Sequence, residues 1–206
     1  MKQIAIVGAT QGVGRAVLDR ALERGDAVTA LARTPAKLAI EHENLRVISG
    51  DVLDPAAAAA VVEGADVVVV SLGNTPNNPD DVVSRGTAQV MAAMEAAGVG
   101  RLIVVTSIGV GDSSEQVPFA FRMLMKTVLR KAMADKEQQE ALVRASSLDW
   151  TIVRPGGLTD GPATGRYRAG TEKDISAGQV ARADVAAFIL EEIDSGRYLR
   201  QTPAIS

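Results

Sequence analysis

The sequence predicts an α/β fold: a doubly wound parallel sheet with a small substrate-side portion at the C-terminal end. Strand-like and helix-like segments alternate along the chain, which is typical of a parallel sheet covered on both faces. A glycine-rich turn, Gly8–Gly14, joins the first strand to the first helix, and Asp66–Leu72 is a near-continuous valine run of the kind found in fully buried strands. No repeat or linker divides the 206 residues, so we expect one domain over residues 1–206.

Each element is predicted from its local composition. The strands, in chain order, are Lys2–Val7, Ala27–Ala32, Leu45–Ser49, Asp66–Leu72, Arg101–Thr106, Trp150–Val153 and a short strand in Leu199–Ile205. The helices are Gly12–Arg24, Pro55–Val62, Asp80–Ala97, Pro118–Val143 with a break, and Ala181–Ile193. Pro55 stands in a first helical turn, where proline is tolerated, and the alanines after it are strong helix formers. The segment Gly156–Gly170 is rich in Gly, Pro and Thr and shows little periodicity.

The glycines of the first turn each have a task in a dinucleotide-binding unit. Gly8 lets the chain leave the strand in a tight turn, Gly12 lets the backbone approach a pyrophosphate, and Gly14 lets the helix lie close to the sheet. The helix N-terminus offers free N–H groups and the positive end of its dipole to phosphates. An ordinary strand–helix turn is the alternative. The predicted cofactor-binding turn comprises Gly8, Thr10, Gln11, Gly12, Val13 and Gly14. It favours a fold of Rossmann type.

Composition excludes several classes of function. The net charge is −3 and no basic cluster appears, which argues against nucleic-acid binding. There is no cysteine, so disulfides and thiol catalysis are excluded, and the single histidine, His42, has no second histidine to join in a metal site. We therefore predict no metal. No apolar run approaches the ~18 residues of a membrane span, and we expect a cytoplasmic protein. Only 3% of residues are aromatic, so aliphatic side chains must fill the core.

The end of the second strand indicates which dinucleotide binds. An NAD-binding site usually has Asp or Glu there to accept from the ribose 2′-OH, whereas this chain has Arg33, followed by Thr34 and nearby Lys37. A guanidinium suits a 2′-phosphate through charge-assisted, bidentate hydrogen bonds. We therefore predict NADP(H); the alternative is that Arg33 is a solvated residue at a strand end.

Two more strand ends are expected at the same cleft, because ligands of open α/β sheets bind beyond the carboxyl ends of the strands. After the third strand, Asp51-Val52 offers a carboxylate to an adenine amino group, although Asp51 can equally be a loop residue. After the fourth strand comes Leu72-Gly73-Asn74, where Gly73 lets the chain pass close to a cofactor.

Five stretches resemble the atypical short-chain dehydrogenases. They are Gly8–Gly14, Leu31–Arg33, Gly50–Val52, Thr106-Ser107 and Trp150–Leu158. The resemblance covers nearly the whole chain. Within that family, the chain is most similar to the flavin reductase and biliverdin-IXβ reductase group, on its length, the Asp51-Val52 loop, Ser71–Gly73 and Pro162–Tyr167. The resemblance implies a Rossmann fold, NADPH binding and hydride transfer to flavins or similar acceptors.

The chain departs from the wider superfamily at the catalytic tyrosine. Those dehydrogenases use Tyr-x-x-x-Lys, in which the lysine lowers the tyrosine pKa for acid–base catalysis. Here Ala132 stands at the tyrosine position and Lys136 at the lysine, and neither Tyr167 nor Tyr198 has a lysine four residues later. The flavin reductase group also lacks this tyrosine, and there two cofactors carry the chemistry. Gln11 stands where the family usually has glycine.

Ser107 and Lys136 are the predicted catalytic residues. The resemblance places Ser107, beside Thr106, where the superfamily has its substrate-binding serine, whose hydroxyl can donate to an acceptor carbonyl or a flavin ring atom. The alternative is a turn serine. Lys136 can bind ribose hydroxyls or phosphate, or it is a solvated helix lysine.

The segment after the sixth strand, Pro155-Gly156-Gly157-Leu158, is expected beside the nicotinamide, with backbone N–H groups facing the carboxamide. An ordinary turn is the alternative. Gly157 replaces a histidine of the flavin reductase group, and Arg154 is expected to pair structurally. The apolar stretch 117–125 can form an acceptor pocket or be core or an oligomer surface. Tyr167 can stack on an isoalloxazine ring or simply pack.

Three functions follow, in order of preference. The first is an NADPH-dependent reductase of a flavin, quinone or tetrapyrrole-like acceptor, with that small molecule as partner and no nucleic acid or membrane. The second is a non-catalytic NADP(H)-binding sensor or regulator, which the missing tyrosine favours. The third is a sugar-nucleotide epimerase or dehydratase, for which the short C-terminal portion leaves little room. Nothing in the sequence indicates an oligomeric state.

Overall fold

A computed structural model describes residues 1–75 and 78–206, apart from the side chains of Ala120, Phe121, Met125 and Lys126. Its strands are β1 (Gln3–Val7), β2 (Ala27–Ala32), β3 (Leu45–Ser49), β4 (Val67–Val70), β5 (Arg101–Val105), β6 (Asp149–Pro155), β7 (Gly157–Thr159), β8 (Ala169–Gly170), β9 (Gln179–Ala181) and β10 (Ala204–Ile205). Its α-helices are α1 (Gly12–Glu23), α2 (Pro55–Val62), α3 (Val82–Ala97), α4 (Phe119–Thr127), α5 (Arg130–Ala145) and α6 (Arg182–Ser195). Short 3₁₀ helices span Pro35–Lys37 and Gly111–Gln116.

Eight strands form one twisted sheet in the order β3-β2-β1-β4-β5-β6-β10-β8, and β7 pairs with β9 in a separate ribbon. The first six strands are parallel and have the 3-2-1-4-5-6 order of a Rossmann fold, as the sequence predicts. Among the strands of the described residues, only β8 runs antiparallel to its neighbour, β10. Chain order reverses between β1 and β4, so a crevice for a ligand is expected beyond their carboxyl ends.

The valines of β4 explain why both faces of the sheet must be covered. Val67 and Val69 belong to the hydrophobic cluster under α1 and α6, whereas Val68 and Val70 belong to the cluster under α2, α3 and α5. All four are at most 1% exposed. Alternate side chains of a strand point to opposite faces, and each buried valine contributes about 1.5–3 kcal/mol.

Most predicted elements are confirmed, and most of the differences lie in the second half of the chain. The predicted helix 118–143 is two helices, α4 and α5, and the Thr127 hydroxyl bonds back to the Met123 carbonyl just before the break. The strand predicted at 150–153 extends over Asp149–Pro155. The strand predicted at 199–205 is restricted to Ala204–Ile205, with one isolated bridge from Gln201 to Thr151.

The sequence missed the short strands β7, β8 and β9, because two or three residues are too few to show periodicity. Helix α3 begins at Val82, two residues after its predicted start at Asp80. Among the helices of the described residues, none is long and apolar enough to cross a lipid bilayer.

Candidate functional site

A cleft lies at the carboxyl edge of the sheet, where β1, β2, β3 and β4 end. It encloses about 730 Å³ of empty space, including its open mouth. Of the predicted cofactor-binding residues, its lining includes Gly8, Thr10, Gln11, Arg33, Asp51, Val52, Leu72 and Gly73. Outside that lining are Gly12, Val13, Gly14, Thr34, Asn74, Thr106, Pro155, Gly156, Gly157 and Leu158. The structure thus gathers the ends of four separate strands at one crevice.

At Gly8 and Gly14, the turn packs so closely against its neighbours that no side chain fits. A Cβ on Gly8 would lie 2.3 Å from the Ser71 carbonyl oxygen, and a Cβ on Gly14 would lie 2.2 Å from the Gly8 carbonyl oxygen. Gly8 also has a φ of +94°, which favours glycine. These contacts bring the start of α1 against the ends of β1 and β4, as the role predicted for Gly14 requires.

The N-terminus of α1 presents its backbone donors at this turn. The first N–H groups of a helix have no intrahelical acceptor. Gln11, in the N-cap position, has extended backbone and makes no side-chain capping bond, and the first turn holds no acidic residue. Gly12, Val13 and Gly14 are therefore a cradle suited to phosphate oxygens, with the positive end of the helix dipole behind it.

Arg33 and Asp51 line the same cavity from the ends of β2 and β3. The Arg33 side chain is exposed at the edge of the cavity, and Thr34 beside it is exposed at the start of the 3₁₀ helix Pro35–Lys37. One carboxylate oxygen of Asp51 accepts a 2.9 Å bond from the Leu53 N–H. That bond fixes the loop, and the second carboxylate oxygen has the chemistry to accept from an adenine amino group.

In the segment after β4, the first two residues face the cleft and the third anchors the loop to the rest of the protein. Leu72 and Gly73 line the cavity, but the Asn74 amide donates to the Asp80 carbonyl (3.0 Å) and to Asp135 of α5 (3.3 Å). Asp135 also accepts from the N–H of Ser84, which caps the start of α3. Asn74 therefore ties this loop to α5 with its side chain.

The end of β5 lies between the ends of β4 and β6. The Ile108 N–H donates to the Pro155 carbonyl (2.9 Å), so Ser107 stands beside the end of β6. Ser107 is half-buried at this position. The Thr106 hydroxyl donates to Glu140 (2.8 Å) and is buried.

Lys136 of α5 lies against the end of β5. Its Nζ donates to the Thr106 carbonyl at 2.9 Å, so the alternative of a freely solvated helix lysine is wrong. Burial lowers the pKa of Lys136 to about 8 from the usual 10.5, against the opposing effect of the Glu140 and Asp135 carboxylates. A lysine in this state changes its charge within the range of ordinary assay conditions.

One expectation for the segment Pro155–Leu158 needs correction. The Gly156 N–H donates to the Ile205 carbonyl (2.9 Å) and the Gly157 N–H to the Gly178 carbonyl (2.7 Å). These two N–H groups are therefore engaged within the protein and do not face a carboxamide. The glycines serve close packing, since a Cβ on Gly156 would lie 2.6 Å from the Gly178 carbonyl oxygen.

Comparison with known protein families assigns the chain that carries this site to a family. The profile described as NAD(P)H-binding matches residues 8–195, from the first glycine of the turn to the end of α6. The chain belongs to the NAD(P)H-binding family. The resemblance stated from the sequence is thereby confirmed, and the gathered strand ends form the cleft of a dinucleotide-binding fold.

The relatives of this family member include named oxidoreductases. The ChuY anaerobillin reductase of Escherichia coli O157:H7 has a TM-score of 0.85 at 29% identity, over 98% of this chain and 96% of its own. The oxidoreductase stcQ of Emericella nidulans is 30% identical, over 96% of this chain and 80% of its own length. YhfK of Bacillus subtilis, named an uncharacterized sugar epimerase, is 25% identical over 93% of this chain and 88% of its own.

Other candidate residues lie away from the cleft lining. Tyr167 packs edge-on against Phe188 of α6, with ring centroids 6.4 Å apart. In the stretch 117–125, Phe119 and Met123 are exposed on α4. The side chains of Ala120, Phe121 and Met125 lie outside the described residues, so an acceptor pocket there stays a prediction. No group of three or more metal-ligating side chains occurs among the residues described.

Sequence reasoning missed several residues that shape the site. Thr75, Asn78 and Pro79 line the cavity, in a segment without any motif. Asp135 and Arg182 reach the site from helices far along the chain, and no local pattern distinguishes them from surface residues.

Proposed function

We propose that this chain is an NADPH-dependent reductase that passes hydride to a flat, conjugated acceptor such as a flavin, a quinone or a tetrapyrrole-like molecule. The observation that carries the proposal is Arg33, an exposed guanidinium at the rim of the cleft where NAD-binding relatives of this fold hold a carboxylate. A guanidinium pairs with a 2′-phosphate and has no comparable partner on NADH.

In this proposal, the other residues of the cleft each contact a different part of the cofactor. The first N–H groups of α1 bind the diphosphate, Asp51 and Val52 border the adenine, and Gly73 leaves room for the ribose. When bound, NADPH supplies the hydride. Ser107 holds the acceptor through its hydroxyl, and Lys136 fixes the end of β5 and adds a positive charge near the ribose. Thr34, Thr106 and the segment Pro155–Leu158 border the cofactor in this proposal.

Ala132 favours a conjugated acceptor over a ketone. A methyl group at the position of the superfamily tyrosine cannot protonate an alkoxide, so alcohol–ketone chemistry lacks its acid. Conjugated acceptors need less help, because they delocalise the incoming electron pair and can take a proton from water. The structural similarity to ChuY, which is named an anaerobillin reductase, supports the tetrapyrrole-like option.

The cofactor preference is tested by titrating NADPH and NADH into wild type and Arg33→Gln. We expect wild type to bind NADPH more tightly, and the variant to lose about tenfold in NADPH affinity with little change for NADH. Arg46→Gln, an exposed β3 arginine paired with Glu63, is the matched control and should change neither. Equal binding of the two nucleotides by wild type would contradict the proposal.

A non-catalytic NADP(H) sensor is the second candidate, and Ala132 favours it too. Oxidation of NADPH is followed with FMN, a quinone and a linear tetrapyrrole as acceptors. Turnover with any of them supports the reductase. Tight NADPH binding without turnover, together with a change in association with a partner protein on NADPH addition, supports the sensor.

A further inference from the structure

Arg182, the first residue of α6, lies directly beside the glycine turn. A Cβ on Gly12 would be 4.0 Å from the Arg182 Nε, and apart from the neighbouring residues of the turn and the backbone of α1 no other atom of the described structure comes as near to that position. The reason is the topology: α1 and α6 pack side by side on one face of the sheet, so their N-terminal ends meet at its carboxyl edge. A cation from the end of the chain thus reaches the place where the first helix begins.

The present partner of Arg182 is weakly held. Its Nη1 donates to Asp160 at 2.6 Å, but the Asp160 side chain is 92% exposed, against 28% for Arg182. An ion pair with a solvated carboxylate contributes little and can be exchanged for another anion. The loop that carries Asp160 is itself fixed on α6, because Asp184 accepts from the N–H groups of Thr164 and Gly165. Asp160 therefore holds Arg182 at the turn from a loop that is itself fixed, through an ion pair that another anion can replace.

The glycine turn has donors but lacks a cation of its own. The nearest basic residue of α1 is Arg15, whose Nε contacts both carboxylate oxygens of Asp19 and whose Nη1 donates to the Leu38 carbonyl. A dinucleotide diphosphate carries two negative charges, and the planar donor fork of arginine matches phosphate oxygens.

We propose that Arg182 binds the diphosphate of the nucleotide cofactor, and that Asp160 holds the guanidinium at the glycine turn until the cofactor replaces it. The inference rests on the proposed function only in that a dinucleotide binds in this cleft. It assigns to the C-terminal helix a cofactor contact that no motif of the sequence indicates.

Three ligands separate this role from that of Arg33. NADPH carries both the diphosphate and the 2′-phosphate, NADH carries only the diphosphate, and 2′-AMP carries only the 2′-phosphate. We expect Arg182→Gln to weaken NADPH and NADH about equally, by about tenfold, and to leave 2′-AMP unchanged. Arg33→Gln should weaken NADPH and 2′-AMP but not NADH. Dissociation constants come from calorimetry, or from displacement of NADPH fluorescence.

Two further variants complete the test. Arg182→Lys keeps the charge and should retain part of the affinity that Arg182→Gln loses. Asp160→Asn removes the competing anion and should tighten NADPH about threefold, whereas Asp174→Asn, which breaks the exposed pair with Arg168, should not.

Unchanged NADPH and NADH binding in Arg182→Gln would overturn the proposal, as would an equal loss for 2′-AMP, which would indicate general damage to the cleft. Unchanged binding in Asp160→Asn would overturn the role of the carboxylate. A protein that binds NADPH through Arg182 but reduces no acceptor would contradict the reductase proposal and support this one.

Discussion

Arg154 of β6 and Glu140 of α5 form a buried ion pair near the carboxyl end of β6. The Arg154 Nε donates to Glu140 Oε1 at 3.0 Å, and the side chains are 4% and 5% exposed. The same carboxylate oxygen accepts from the Thr106 hydroxyl, so the pair fixes the residue that precedes Ser107. A structural ion pair thus positions the predicted catalytic serine without contacting it.

Removing one partner of this pair should be costly. Glu140→Leu leaves a buried guanidinium with only exposed Asp112 as its anion, and we expect a loss of about 3–5 kcal/mol in the free energy of unfolding. The double variant Glu140→Leu/Arg154→Met replaces both charges by apolar groups and should recover most of that loss. Urea unfolding followed by circular dichroism measures both. A single variant within 1 kcal/mol of wild type would contradict the prediction.

The six parallel strands and the glycine turn could be predicted because their signals are local. Val67–Val70 is apolar at every position, and Gly8 and Gly14 stand at the spacing that close packing demands. The anchors of the site are different. Asp135 caps Ser84 from 51 residues away, and Arg182 reaches Gly12 from the other end of the chain. Such pairings depend on the assembled fold, which periodicity and motif spacing do not encode.

A substitution of Gly73 should change cofactor binding without changing protein stability. A Cβ on Gly73 would meet nothing within 4 Å, and its φ is not positive, so Gly73→Ala should fold as stably as wild type. Because Gly73 lines the cleft, the added methyl group should lower NADPH affinity by about tenfold.

Two other glycines are the controls for Gly73→Ala. Gly100, equally open but outside the cleft lining, should tolerate alanine with no change in affinity. Gly14→Ala should instead lower the melting temperature, because its Cβ would overlap the Gly8 carbonyl. Unaltered NADPH binding by Gly73→Ala would place the cofactor elsewhere.

The charge of Lys136 should make NADPH binding depend on pH. With a pKa of about 8, its ammonium loses a proton as the pH rises from 7 to 9, and the attraction for an anionic cofactor falls. We expect the NADPH dissociation constant to rise about fivefold over this range. Lys136→Arg keeps its charge throughout and should bind NADPH with little pH dependence. A wild-type profile as flat as that of the variant would refute a role for this ammonium in binding.

The same lysine should affect stability in the opposite direction. Its pKa is lower in the folded chain than the usual 10.5, so between pH 8 and 10.5 the unfolded chain binds more protons. The free energy of unfolding of wild type relative to Lys136→Met should therefore increase with pH across this window. Urea unfolding at pH 7.5, 9 and 10 tests the sign, and a difference that decreases with pH would show that the ammonium is stabilised in the folded state.

Asp184 should confer stability that disappears in acid. Burial alone would raise the pKa of Asp184, but the N–H groups of Gly165 and Thr164 and the Thr164 hydroxyl hold it below its usual value. A carboxylate whose pKa is lower in the folded chain stabilises fully above its unfolded pKa of about 3.9, and that stability is lost as the pH falls through the folded pKa. Asp184→Asn should cost about 1–3 kcal/mol at pH 7, and the difference from wild type should narrow below about pH 4. Asp174→Asn, at an exposed carboxylate, is the control and should cost little at either pH. A deficit for Asp184→Asn that is the same at pH 7 and pH 3 would show that the loop depends on the shape of the side chain and not on its charge.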